Sequence, residues 1–413
     1  MKTTNKIFQV MLLCFFCSIS TYGTDLFVYP NAQSPDYADI QSAIDAASNG
    51  DNIYIDTASF IGNININKTL SFYPLHKGGM YTINGALTLT AANNRTIYIQ
   101  GLNGGGVSST GGSNSNGDST FVILNGCEFS SAVSINSGTS IISFIYYSTF
   151  NGSVSLDACE LIGNTFNGNV GIYANPSGYS NPQNIKIYAN NFSYYTSTQL
   201  SIIYAYYSNI HIANNFFHYT NSSNNIYINA NSNYKADKVI IENNIFKTTY
   251  TSSASIYNVQ VSYSDFLFIR NNYFDVSTNY NRGVYTSNIG IYDFQYNFTN
   301  TSEGNFTEGS GTIQTIANNT YSTTLNYGTN SQNSLGNVTT NAGINAGSTL
   351  PECRDINNTQ NDIGTFGGPH SWSNYHNSST SMAQILDLEI PYYQIVLPGT
   401  QINFNSKAIH KNK

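Results

Sequence analysis

The charged side chains able to move protons gather late in the chain, at Lys238, Glu242, Asp265, Arg270, Asp275, Arg282 and Asp293. Paired carboxylates a few ångströms apart can serve as acid and base, and a neighbouring Arg or Lys can hold a substrate acid. Elsewhere such residues are sparse. No Asp or Glu stands between Glu160 and Asp237, and no Lys or Arg between Arg95 and Lys186. Glu242 and Arg270 fall at one position of successive repeats, so they are expected as stacked neighbours in a surface ion pair. His211, between two isoleucines, should point outward. His218 follows Phe217 in an expected turn, and the sequence identifies a partner for neither histidine. No nucleophile elbow, zinc spacing or phosphate loop occurs, so no catalytic residue, metal ligand or cofactor is assigned. The Gly/Ser-rich stretch Leu102–Ser119 has no Lys and no following helix, and reads as a flexible loop.

Aromatic side chains are the stronger lead. Among the 33 tyrosines, Tyr146, Tyr147, Tyr194, Tyr195, Tyr204, Tyr206 and Tyr207 lie together. Sugar rings stack on exposed aromatic faces, while Asn and Ser can hydrogen-bond the hydroxyls. Tyr204, Tyr206, Tyr207 and the single tryptophan, Trp372, are therefore the candidate carbohydrate-binding residues. Two competing roles are structural. Aromatic stacks stabilise sheets without any ligand, and Trp372, within His370–His376, could instead pin a tail to the side of the fold.

The element that must position these residues is a short repeat. An apolar residue, any residue, an apolar residue, two spacers, Asn, one spacer and Phe recur as IKIYANNF (Ile185–Phe192), IHIANNFF (Ile210–Phe217), VIIENNIF (Val239–Phe246) and LFIRNNYF (Leu267–Phe274). Looser copies are Val122–Phe129, Ser143–Phe150, Cys159–Phe166 and Ile291–Phe298. The copies lie about 24 residues apart, too short for a propeller blade and fitting one coil of a parallel β-helix. The alternating apolar pair predicts a strand with one face inward. Asn suits a bend because it tolerates left-handed backbone. The series predicts an internal ladder at Phe129, Phe150, Phe166, Phe192, Phe217, Phe246, Phe274 and Phe298. Beside it runs a polar ladder at Cys127, Ser148, Asn164, Asn190, Asn215, Asn244, Asn272 and Tyr296. A second strand is expected before each motif, as at Ile202–Tyr206, Ile226–Ala230 and Ser255–Val259.

With this repeat, the segment Tyr37–Ile55 (YADIQSAIDAASNGDNIYI) resembles the start of the pectin-lyase-like superfamily of right-handed parallel β-helices. The resemblance implies an amphipathic capping helix with Ile40, Ala43, Ile44 and Ala47 inward. A turn at Asn49–Asp51 and a first strand carrying Ile53 and Ile55 follow. Asp362–Pro369 (DIGTFGGP) resembles a segment that follows the helix in many secreted proteins of this type. The fold hosts lyases, hydrolases and non-catalytic proteins alike. A lyase of that type would use an Arg or Lys base with Ca²⁺ held by carboxylates, and a hydrolase two or three carboxylates.

The two ends complete the reading. Lys2 and Lys6 precede an apolar run, Ile7–Ser20, with small residues at Thr21 and Gly23, so residues 1–23 are expected to be a signal peptide. Residues 24–375 are read as the β-helix, and 376–413 as a C-terminal β cap or tail with strands at Ile385–Ile390, Gln394–Leu397 and Gln401–Phe404. No later stretch is apolar enough for a transmembrane span. Charged residues make up only 9% of the chain and the net charge is −7, which argues against nucleic acid as a partner. Cys127, Cys159 and Cys353 allow one disulfide with a thiol left over. The expected function is a secreted or cell-surface protein contacting a glycan through a Tyr/Asn-rich face. The alternative is a polysaccharide lyase or glycoside hydrolase.

Overall fold

The computed structural model describes residues 23–31, 36–111, 119–136, 141–174, 183–193, 199–219, 224–248, 257–276, 283–301, 306–321, 344–355, 357–375, 383–389 and 405–410. All of the expected signal peptide but Gly23, together with Tyr194, Tyr195, Arg282, Gln394–Leu397 and Gln401–Phe404, lies outside them.

The chain is an all-β parallel β-helix of about ten turns. Each central coil has three strands. A motif strand such as Asn209–Ala213 turns into a short Phe-bearing strand (Phe216–Tyr219), and a third strand (Ile226–Asn229) leads to the next motif strand, Ala236–Glu242. The Phe-bearing strands stack into one twelve-stranded parallel sheet. The motif strands and third strands form two more parallel faces. Both belong to one sheet because Val259–Arg270 and Val284–Gln295 run through the intervening corner unbroken. Tyr263 (φ 61°) and Asn288 (φ 57°) mark that corner.

The alternation in the motif sends Ile210 and Ile212 inward, 1% and 0% exposed, and His211 outward. The residue after each motif strand takes left-handed backbone: Gly126, Tyr147, Gly163, Ala189, Asn214, Asn243 and Asn271 all have φ between 50° and 70°. So in the pairs Asn214–Asn215, Asn243–Asn244 and Asn271–Asn272 the two asparagines divide the work. The first makes the bend. The second turns inward, as Asn190 does after the bend at Ala189: Asn190 Nδ2 donates to Asn215 Oδ1 (3.0 Å) and Asn215 Nδ2 to Asn244 Oδ1 (3.0 Å). The same bonds run on through Asn272, Asn297 and Asn319.

The ladders correct the expected register of the last repeat. Leu267 pairs with Tyr292, not Ile291, so Asn297 joins the polar ladder and Tyr296 takes the bend with φ 56°. Phe298 then pairs with Tyr273, outside the Phe column, and Thr299 faces Phe274. The aromatic ladder therefore runs from Phe129 to Phe274, with neighbouring centroids 4.6–5.4 Å apart. Phe306 packs against Phe274 at 5.1 Å beyond it.

At the N-terminal side, helix Ile40–Ala46 is capped by Asp39, whose side chain accepts from Ser42 N at 2.8 Å. Ile40, Ala43, Ile44 and Ala47 are buried, as the resemblance implies. Near the other end, Ala383–Glu389 pairs antiparallel with Asn405–His410. Of the expected second strands, Ile226–Asn229 is in place, the first lies earlier at Leu200–Ile203, and the third starts only at Val259, where it was expected to end. Cys127, Cys159 and Cys353 are buried free thiols, so the disulfide allowed by their number is not made. Among the described residues no helix is long and apolar enough to cross a membrane.

Candidate functional site

The outward side chains of the motif strands form columns across successive coils. One column reads Gln100, Asn125, Tyr146, Ile162, Tyr188, Ala213, Glu242 and Arg270 in register, and toward the N-terminal side Phe27, Tyr54 and Tyr73 stand in register with one another. The next, two residues earlier on each strand, includes Glu160, Lys186, His211, Ile240 and Phe268. The two converge on a cleft of about 230 Å³ lined by Asn184, Lys186, Tyr188, Asn209, His211, Lys238 and Ile240, among others. Two lysines give its walls a cationic character.

A continuous polar line runs beneath this cleft. The Tyr188 hydroxyl lies 2.8 Å from His211 Nδ1, and His211 Nε2 lies 2.7 Å from Glu242 Oε1. Arg270 Nε donates to the other carboxylate oxygen at 3.1 Å. Lys238 and Arg270 both sit over the Phe268 ring, 5.6 and 5.7 Å from its centroid. Burial alone would raise the Glu242 carboxyl. The His211 hydrogen bond and charge, with Arg270 and His370, outweigh it and hold the group down at about 2. Burial likewise works against the charge on Arg270, but Glu242 reverses this and raises its pKa.

These contacts correct two sequence expectations. Glu242 and Arg270 are stacked on adjacent coils, as their repeat position requires, but the carboxylate is buried, with Glu242 7% exposed, and Arg270 is half-buried. His211 points outward and is partnered on both nitrogens. Neither contact was readable from one sequence, because Tyr188, His211 and Glu242 belong to three coils and His211 stands two places earlier in its motif than the other two. His218 sits in strand Phe216–Tyr219 rather than a turn. Burial and then Lys247 lower its pKa.

The segment 344–375 explains the burial. The bend asparagines reach out and bind its backbone. Asn214 Nδ2 donates to Thr365 O (3.0 Å) and Gly367 O (2.6 Å), and Asn243 Nδ2 to Asn361 Oδ1 (2.7 Å) and Asp362 O (2.8 Å). Asn271 Oδ1 accepts from Ser348 N at 2.7 Å. The glycines of DIGTFGGP permit this approach, since a Cβ on Gly367 would stand 2.6 Å from Asn243 Nδ2. His370 then stacks on Tyr188, and Trp372 and Tyr375 are buried with Tyr146, Ile162, Tyr188, Ala189 and Ala213.

Trp372 thus occupies the tail-pinning place, 6% exposed. Tyr146 is buried with its hydroxyl donating to Glu160 Oε1 at 2.7 Å, and Tyr147 packs in the Trp372 cluster. Tyr204, Tyr206 and Tyr207 lie together on the corner before Asn209, joined by Tyr234. Tyr204 is 42% exposed. Their rings meet at 51–67°, edge against face, so they make a clustered knob rather than a flat ladder. A flatter aromatic surface occurs where sequence reasoning assigned none. Phe27, Tyr54 and Tyr73, each half-buried, stack at 5.6 and 5.5 Å with planes 22–25° apart. Their signal in the sequence was the outward position between inward apolar residues, once the early coils are registered.

No protein-family profile, curated protein or solved structure matches this chain. Among the described residues, no group of His, Cys, Asp and Glu is arranged to hold a metal ion.

Proposed function

We propose that this chain is a secreted β-helix protein of the pectin-lyase-like type, whose outward motif face binds an extended glycan. The cleft lined by Lys186, Tyr188, His211 and Lys238 carries the reading. Its lysines suit the carboxylate or sulfate of an acidic sugar. The asparagines at its edge, Asn184 and Asn209, offer amide hydrogen bonds to hydroxyls. A polymer lying along the coil axis would cross further sites, because the same face carries the Phe27–Tyr54–Tyr73 stack toward the N-terminal end. The knob of Tyr204, Tyr206, Tyr207 and Tyr234 precedes cleft residue Asn209 in the chain and extends the apolar contact a sugar ring could use.

A glycan array probed with residues 24–413, followed by titration calorimetry on the best ligand, tests the proposal. Binding of acidic polymers that falls on Lys186→Ala and on Tyr54→Ala is expected. Silence across acidic and neutral polymers, or binding indifferent to both substitutions, would overturn it.

A further inference from the structure

We infer that the ligand of this face is an anionic glycolipid, its charged sugar seated in the cleft and its alkyl chain laid along an exposed apolar strip of the last coils. The inference rests on the glycan-binding reading of the same face and adds a second, apolar part to the ligand.

One outward slot of the motif strands carries the observation. In register over six coils it holds Asn184, Asn209 and Lys238, then Phe266, Ile291 and Ile313. The first three line the cleft. The last three are apolar yet face solvent: Phe266 is 42% exposed, Ile291 37% and Ile313 63%. Single apolar side chains on a surface need no explanation, whereas a contiguous row of them marks a place where something apolar binds. The change from polar to apolar is abrupt, and it falls at Lys238, on the rim of the cleft.

The neighbouring slot divides at the same place. It reads Lys186, His211 and Ile240, all lining the cleft, and then Phe268. The Lys238 ammonium lies 5.6 Å from the Phe268 ring centroid, so positive charge stands at the border between cleft and strip. Beside the strip the charges include carboxylates: Asp265 precedes Phe266 and is paired with Lys235 at 3.3 Å, and Asp293 follows Ile291 by two residues. An anionic head is drawn to Lys186 and Lys238 and finds no such pair of lysines along the strip, which sets the direction of the ligand.

The strip suits an alkyl chain better than a further sugar. Ile291 and Ile313 offer no polar atom to meet a hydroxyl and no flat ring on which a sugar could stack. Rows of a parallel sheet lie about 4.8 Å apart, so the strip runs roughly 14 Å beyond Lys238, the reach of a medium-length alkyl chain. Each methylene moved from water onto it adds favourable transfer free energy.

The test measures, by titration calorimetry below the micelle concentration, binding of dodecyl glucuronide, methyl glucuronide and dodecyl maltoside to residues 24–413. The double variant Ile291→Thr with Ile313→Thr is measured in parallel. Both positions point outward and threonine keeps the β-branch, so this variant should fold as the parent does. Dodecyl glucuronide should bind at least about tenfold more tightly than either other probe. The double variant should erase its advantage over methyl glucuronide and leave methyl glucuronide itself unchanged. Equal affinity for the two glucuronides, or for dodecyl glucuronide and the uncharged maltoside, would overturn the glycolipid. So would failure of both glucuronides to bind, or sedimentation showing a dimer of the protein alone that the double variant dissociates, which would make the strip an interface between copies. The glycan array judges the glycan reading separately, so that reading can stand when the glycolipid falls.

Discussion

His370 and Tyr188 stack face to face, with ring centroids 4.2 Å apart, although 182 positions separate them in the chain. This contact joins the segment 344–375 to the middle of the solenoid. The segment also holds the single tryptophan, buried within the same cluster. Its docking can therefore be followed separately from the coil.

The first expectation concerns that docking. Asn243→Ala removes the amide that binds Asn361 and Asp362 O, while leaving the internal ladder residue Asn244 in place. Tryptophan emission should shift to the red and limited proteolysis within 344–375 should accelerate, with the far-ultraviolet circular dichroism of the β-helix unchanged. Loss of the β signal at the same time would mean that the segment and the coil form one cooperative unit.

Acid should weaken the same region. Glu242 is held at about 2, below its ordinary 4.5, so it binds protons less tightly folded than unfolded. Its stabilising contribution is present above about 4.5 and is lost as the pH falls toward about 2. Thermal melts between pH 6 and pH 2.5 should show a falling Tm, and Glu242→Gln should flatten that dependence while lowering stability at pH 6.

Asp157 predicts the opposite slope. It is buried on a tight corner, its Oδ2 lacks a hydrogen-bond partner, and burial raises its pKa to about 7 despite a backbone hydrogen bond from Ile141. A raised carboxyl binds protons more tightly folded, so its contribution is complete below about 3.8 and disappears as the pH rises through about 7. Asp157→Asn should raise Tm at pH 8 and leave it nearly unchanged at pH 4. A destabilised variant at pH 8 would show that the carboxylate is needed there.

The aromatic ladder gives the sharpest stability test. Phe217 is fully buried between Phe192 (4.6 Å) and Phe246 (5.1 Å). Phe217→Ala should cost about 3–5 kcal/mol in denaturant unfolding, the usual range for a buried aromatic ring. A cost below about 1 kcal/mol would mean that the column contributes little to the core.

The coil was legible because its determinants are local. Strand alternation, the bend and the inward Phe all fall within eight residues, and repetition multiplies the signal. Where the repeat loosened, at Ile291–Phe298, the reading slipped by one residue: the ladder position went to Tyr296 instead of Asn297, and Phe298 was placed in the wrong column. The candidate site was far less readable. Stacking put Glu242 beside Arg270 correctly, because both stand at one repeat position. The Tyr188–His211–Glu242 line instead zigzags between two columns over three coils. Its burial depends on a segment whose partners, Asn214, Asn243 and Asn271, were read only as spacers before the motif asparagine, which was itself given the bend. The tyrosine run at 204–207 looked like a flat surface in sequence, whereas left-handed backbone at Tyr204 and Tyr207 turns successive rings edge to face.

The internal asparagine ladder also gives the solenoid a polarity that its repeating shape conceals. Every rung points the same way: backbone N–H and Nδ2 donate to the Oδ1 of the following coil, from Asn164 through Asn297 to Asn319. A cut between two coils would therefore leave unlike ends. The piece on the N-terminal side would carry two stranded donors, and the piece on the C-terminal side a bare acceptor. Two solenoids cut in this way would continue the ladder in one orientation only, head to tail, so the cut faces are plug and socket rather than equivalent.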